Sequence, residues 1–160
     1  MHKEVLKVLN YPRWRIIHRA EFSVMGPYVY IQKDRSKMFD LWQIVNQKKN
    51  YLKLISGSKD MRLYSVTLND MYIIGIYPRK NTVISLDNFI WNCNEVTWAV
   101  LKCNGNPGVL TETILNNINM NNKLVFGGYY WTGDYILEIY NRILFPNSHY
   151  KICLPVVNHE

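Results

Sequence analysis

Between Tyr51 and Asp87 the chain reads as short apolar runs parted by polar turns. The runs are Tyr51–Ser56, Met61–Leu68, Met71–Tyr77 and Thr82–Leu86. Gly57-Ser58-Lys59-Asp60, Asn69-Asp70 and Pro78-Arg79-Lys80-Asn81 separate them. These are turn residues: glycine and proline set the backbone, and Asn or Asp side chains bond back to it. Alternation puts Tyr64, Val66 and Leu68 on one side of their strand. The pattern predicts an antiparallel meander.

On either side of the meander the signals are shorter. The basic segment Met1 to Arg19 holds one apolar run that Pro12 ends and another opened by Trp14, Ile16 and Ile17. Glu21 to Gln32 reads as a strand or two, broken at Gly26-Pro27. Met38 to Val45 carries Phe39, Leu41, Trp42 and Val45 and predicts a short helix with one buried face. Val96, Thr97, Trp98 and Val100 tilt Glu95 to Lys102 towards a strand. A loop at Asn104 to Gly108 precedes a weak helix with Leu110, Ile114, Leu115 and Ile118 on one side. Lys123 to Gly127 is a strand, and Ile136, Ile139, Tyr140 and Ile143 predict a helix over Asp134 to Leu144, stopped by Pro146. The tail keeps one apolar run, Ile152 to Val157. The expected class is α+β, a mixed and mainly antiparallel sheet with two or three helices. The expected organisation is one domain over residues 1–160.

Composition changes this picture in two places. The 160 residues are 48% hydrophobic, which argues against disorder. The formal charge is +7, and Lys33 to Arg62 holds eight Lys/Arg against three Asp. That segment is the natural footprint for a polyanion, and equally a solvated basic face. Cys93, Cys103 and Cys153 have no zinc spacing, and His2, His18, His149 and His159 are scattered, so no metal and no cofactor are expected. A Cys93–Cys103 bridge would close a short loop in an oxidising compartment; three free thiols in a reducing one is the plainer reading. With no sustained apolar run near the N-terminus, no secretory signal and no membrane partner are read, and the expected location is cytoplasmic.

Several short motifs carry a family likeness. Asp70-Met71-Tyr72-Ile73-Ile74-Gly75-Ile76-Tyr77 follows Asn46-Gln47 and precedes Asp87-Asn88, with Phe126-Gly127-Gly128-Tyr129-Tyr130 further on. In this order they resemble the ribosome-inactivating proteins, the ricin-like rRNA N-glycosylases, over roughly Asn46 to Tyr140. The aromatic after Gly75 is displaced by one residue, and the first 45 residues do not match. The resemblance implies a toxin that removes adenine from ribosomal RNA and inhibits translation, a hydrolase with ribosomal RNA as partner. Tyr72 and Tyr130 would stack on the flipped adenine, with Tyr135 competing for the second face. Asp70, Ile73 and Gly128 would bind substrate beside them.

The family also supplies a carboxylate and a cation as Glu-x-x-Arg on one helix, to stabilise a positively charged ribose and protonate the leaving base. No such motif follows Tyr130 here. The nearest substitutes are Glu138 and Arg142, four apart, a spacing that is ordinarily a surface ion pair. The resemblance therefore implies a short or degenerate member. The alternative from another class is a non-enzymatic, β-rich host-interaction protein of viral type that binds a host protein.

Overall fold

The computed structural model describes residues 14–31, 35–83, 87–141 and 148–159. Its strands are β1 (Arg15–Arg19), β2 (Phe22–Gly26), β3 (Tyr28–Tyr30), β4 (Leu63–Thr67), β5 (Met71–Gly75), β6 (Phe89–Cys93), β7 (Val96–Gly105), β8 (Leu124–Phe126), β9 (Tyr129–Trp131), β10 (Ile136–Tyr140) and β11 (Ser148–Asn158). The helices are α1 (Ser36–Val45), α2 (Lys48–Ile55) and α3 (Pro107–Met120). The main sheet runs β1-β7-β11-β10-β4-β5-β3, with β9 on β11 and β8 on β9; β2 and β6 pair as a separate ribbon. Every strand pair among the described residues is antiparallel. The fold is α+β.

The central strands β10, β4 and β5 are buried on both faces, because alternate residues serve different cores. Tyr64, Val66, Ile73, Leu137 and Ile139 face one core, which the β2–β6 ribbon closes with Phe22, Val24 and Cys93. Leu63, Tyr72, Ile74, Tyr140, Tyr150 and Ile152 face the other, which the helices cover. Helix α1 contributes Leu41, Trp42 and Val45, spaced for one face. Helix α3 starts where Asn106 accepts a hydrogen bond from the Gly108 N–H at 3.0 Å, with Pro107 in the first turn, and it buries Ile114, Leu115 and Ile118.

Three expectations need correction. Tyr51 to Ile55 belongs to α2, not to a strand; Tyr51, Leu54 and Ile55 pack at helical spacing while Leu52 is exposed. Of the last meander strand, Thr82 and Val83 are irregular, and residues 84–86 lie outside the described residues. Ile136 to Tyr140 is β10, not a helix. With both faces of the strand covered, apolar residues occur nearly throughout, and the helical spacing of Ile136, Ile139 and Tyr140 is incidental. The tail run grows into β11, which lies between β7 and β10. The run before Pro12, Lys33, Arg142 and Pro146 lie outside the described residues.

Strand β2 crosses β5 at a pair of glycines. The Met25 N–H donates to the Ile76 carbonyl at 2.9 Å, and the Ile76 N–H returns the bond to Met25 at 2.9 Å. A Cβ on Gly75 would overlap the Met25 carbonyl, and one on Gly26 would overlap the Ile74 carbonyl. Gly75→Ala should therefore cost about 1–3 kcal/mol by overpacking, read as a lower urea midpoint. Gly127→Asn is the control: Gly127 sits at φ +55° with open space around it, a conformation asparagine tolerates. Equal midpoints for Gly75→Ala and wild type would contradict the close crossing.

Candidate functional site

On the helix-covered face the sheet carries one carboxyl in an apolar setting. Glu138 is the middle residue of β10 and is only 6% exposed. Its cross-strand partner on β4 is Ser65, whose hydroxyl donates to Oε1 at 3.0 Å. Thr111 on α3 donates to Oε2 at 2.6 Å, and the Tyr140 hydroxyl is a third partner. When Glu138 is ionised, the single Thr111 proton is committed to it, so Tyr150 must donate to Thr111 across their 2.9 Å contact. On the other side, the Trp42 indole N–H donates to the Tyr72 hydroxyl at 2.7 Å, and that hydroxyl in turn bonds Ser65. Two chains of donors thus converge on one carboxylate.

Burial raises the Glu138 pKa above its ordinary value, and the Thr111, Tyr140 and Ser65 hydroxyls oppose that rise without cancelling it. None of the forces shifting Glu138 comes from a cation among the described residues. Burial likewise raises the Tyr72 and Tyr140 hydroxyls, and the neighbouring carboxylate raises them further. These phenols stay protonated and act as donors.

Above Glu138 lies a cavity of about 990 Å³. Its walls are mainly apolar: Met38, Phe39 and Trp42 from α1, Pro107, Val109 and Leu115 from α3, and Ile136 and Tyr140 from β10. Phe39 and Val109 stand at the mouth, 62% and 66% exposed. Aromatic rings back the carboxyl. Trp42 meets Tyr140 edge to face at 5.0 Å, and Tyr140 stacks on Tyr150 at 5.5 Å and 16°. An open, apolar, aromatic cavity with one buried acid at its base suits a ligand with an apolar body and one positive charge.

The residues singled out from sequence fall in different places. Tyr72 is fully buried and joins Glu138 in the cavity wall. Tyr130 is half-buried on β9 against His159 and does not line this cavity. Tyr135 accepts from the Trp98 indole at 2.8 Å in the opposite core. Ile73 is buried in that opposite core, Asp70 is exposed in the β4–β5 turn, and Gly128 is in the β8–β9 turn. Glu138 is no surface partner at helical spacing but a buried strand residue, and Arg142 is outside the described residues. Sequence reasoning missed Trp42, Ser65, Thr111, Tyr140 and Tyr150. The one available signal was a glutamate inside the otherwise apolar run Ile136 to Tyr140, since an acid is seldom placed there without a purpose.

No protein-family model matches the chain, and no curated protein matches it in sequence. Solved structures do. SAV2435 bound to tetraphenylphosphonium aligns with TM-score 0.72 and 12% identity over 90% of this chain and 93% of that one. A protein from Staphylococcus aureus MU50 assigned to bacterial transcription regulation aligns with TM-score 0.66 and 12% identity, covering 89% and 97%. EcmrR aligns as its C-terminal domain, with TM-score 0.63 and 13% identity over 91% and 98%. In the EcmrR–DNA complex the TM-score is again 0.63, over 99% of this chain and 64% of that one. These likenesses establish a shared fold. They overturn the resemblance to ribosome-inactivating proteins, and with it the rRNA N-glycosylase activity, the toxin and translation-inhibitor role and the ribosomal RNA partner. The alternative of a viral-type host-protein binder draws no support from them either. Among the described residues no helix is long and apolar enough to cross a membrane, and no group of His, Cys, Asp or Glu is placed to hold a metal ion.

A raised pKa for Glu138 in the folded state has a signed consequence. Its contribution to stability is fully present below the ordinary carboxyl value of 4.5 and is lost as pH rises through the higher folded value. Glu138→Gln removes this titration, so the mutant-minus-wild-type difference in unfolding free energy should move in the mutant's favour as pH rises. Paired urea titrations across the acid-to-neutral range check it. A difference that is flat with pH would contradict the raised pKa.

Proposed function

We propose that this protein binds lipophilic cations, with Glu138 as the charge receptor at the base of the helix-covered cavity. The observation that carries the reading is the buried carboxyl itself. It is surrounded by oriented hydroxyls and aromatic rings and is balanced by no cation among the described residues. A buried ionised acid without a counter-charge is costly. A cation that arrives with its own apolar body removes that cost and buries its body against Trp42, Met38 and Leu115. Lipophilic cations suit the site because their spread charge is weakly hydrated and little is lost on leaving water. Trp42 and Tyr140 add cation–π attraction of about 0.5–2 kcal/mol.

The tetraphenylphosphonium held by SAV2435 supports this choice of ligand class. The regulator proteins of the same fold support a module that receives a ligand for regulation, in place of an enzyme. We read the chain as one such domain. A cytoplasmic setting fits it, since Cys93, Cys103 and Cys153 are buried free thiols.

Tetraphenylphosphonium titrated into the protein should quench tryptophan fluorescence, because Trp42 lines the cavity. Glu138→Gln should weaken the affinity about thirtyfold or more, the usual cost of removing one partner of a buried charge pair. Equal affinities in wild type and mutant, or no binding to folded wild type, would overturn the proposal.

A further inference from the structure

The Trp42 indole, the Tyr72 hydroxyl and the Ser65 hydroxyl connect the cavity wall to Glu138, and their protons can be counted. Ser65 and Tyr72 are diagonal neighbours across β4 and β5. A serine hydroxyl has one proton, and with Glu138 ionised Ser65 gives it to Oε1 at 3.0 Å. In its bond with Tyr72, Ser65 is therefore the acceptor and Tyr72 the donor. The Tyr72 oxygen is left to receive the Trp42 indole N–H, which donates to it at 2.7 Å. From Trp42 to Glu138 every hydrogen bond points the same way. Bonds aligned in a chain polarise one another, so a charge at one end strengthens the bond at the other.

Resting on the cation-binding reading above, we propose that Tyr72 is a positioning residue: through Ser65 it ties the Trp42 ring to the charge of Glu138, so that an ionised acid holds the aromatic wall in place for a cation. A buried indole N–H needs an acceptor, and Trp42 Nε1 has the Tyr72 hydroxyl. A ring fixed before the ligand arrives spares the cost of ordering it on binding. The Trp42 ring also meets Tyr140 edge to face at 5.0 Å, which gives the Glu138 charge a second route to it, through space. Tyr72, Tyr140, Tyr150, Cys103 and Cys153 all feel the Glu138 charge, and burial raises each of them, so they stay protonated while Glu138 titrates. Glu112 and Arg35, both exposed, are the other charged side chains that line the cavity among the described residues.

The test follows the Trp42 indole proton and the Glu138 carboxyl carbon together by NMR through a pH titration of the free protein. In the wild type the indole proton should move with the midpoint of the carboxyl, while the Trp98 indole, in the opposite core, stays still. Ser65→Ala and Tyr72→Phe each break the chain and leave Glu138 and Trp42 in place. In both, the carboxyl should still titrate and the indole should no longer follow it. Each variant should weaken tetraphenylphosphonium about fivefold, the usual net worth of one hydrogen bond. The double variant should lose about as much as one, since a chain is broken only once. An indole that ignores Glu138 in the wild type, or still follows it in Ser65→Ala, overturns the inference; so does a double variant weakened by the product of the two single losses. Cation binding then stands, provided tetraphenylphosphonium binds the wild type and Glu138→Gln weakens it. Failure of tetraphenylphosphonium to bind folded wild type overturns both.

Discussion

A carboxyl group buried with no counter-charge among the described residues is the constraint on which this molecule turns. Taking an ionised acid out of water costs several kcal/mol even after the surroundings relax. Glu138 is held on β10 among apolar neighbours, and what offsets that cost is hydroxyl groups: Ser65, Thr111 and Tyr140 directly, with Tyr72 and Tyr150 behind them. Hydroxyls can donate to an anion or accept from an acid. The shell therefore tolerates both protonation states of Glu138 and commits fully to neither. A lysine or arginine in the same place would have closed the site by forming a permanent ion pair.

The architecture follows from keeping that group buried and still reachable. The two faces of the sheet divide the work. The face under the β2–β6 ribbon is packed with Phe22, Val24, Val66, Ile73 and Leu137. The other face is covered by helices that reach over its ends, α1 through Trp42 and α3 through Thr111 and Leu115, with the cavity between them. A packed core on one side holds the strands in register, so that Ser65 stays opposite Glu138 and Tyr150 stays opposite Tyr140. The donor shell is made of strand and helix residues, a rigid base that keeps a polar site oriented before any ligand arrives.

How much of this was legible in the sequence depended on whether the signal was local. The β4–β5 hairpin could be read because Asn69-Asp70 marks a turn between two short apolar runs. The α1 and α3 helices could be read from their buried stripes. Strand β10 could not: with a core on each face it has no single period, and its apolar residues imitate a helix. That error hid the site, because a glutamate on an exposed helix is unremarkable and a glutamate in the middle of a central strand is not. The cavity gathers α1, β4, β5, β10 and α3, whose convergence no spacing rule expresses. The short Tyr72 and Gly-Gly-Tyr motifs resembled an adenine pocket. Tyr72 and Tyr130 lie on separate strands, and only Tyr72 borders the cavity. Turn glycines and strand tyrosines recur widely in antiparallel sheets, so their order along a chain says little about what they surround.

The central claim is that the charge state of Glu138 answers to a cation in the cavity. The most direct measurement is the carboxyl-carbon chemical shift of Glu138, followed by NMR through a pH titration with and without tetraphenylphosphonium. The account predicts a free protein whose Glu138 titrates above the ordinary carboxyl range, and a saturated one in which the same carbon is ionised at pH values where it was protonated before. A titration curve that tetraphenylphosphonium leaves in place, at concentrations that fill the protein, would contradict it.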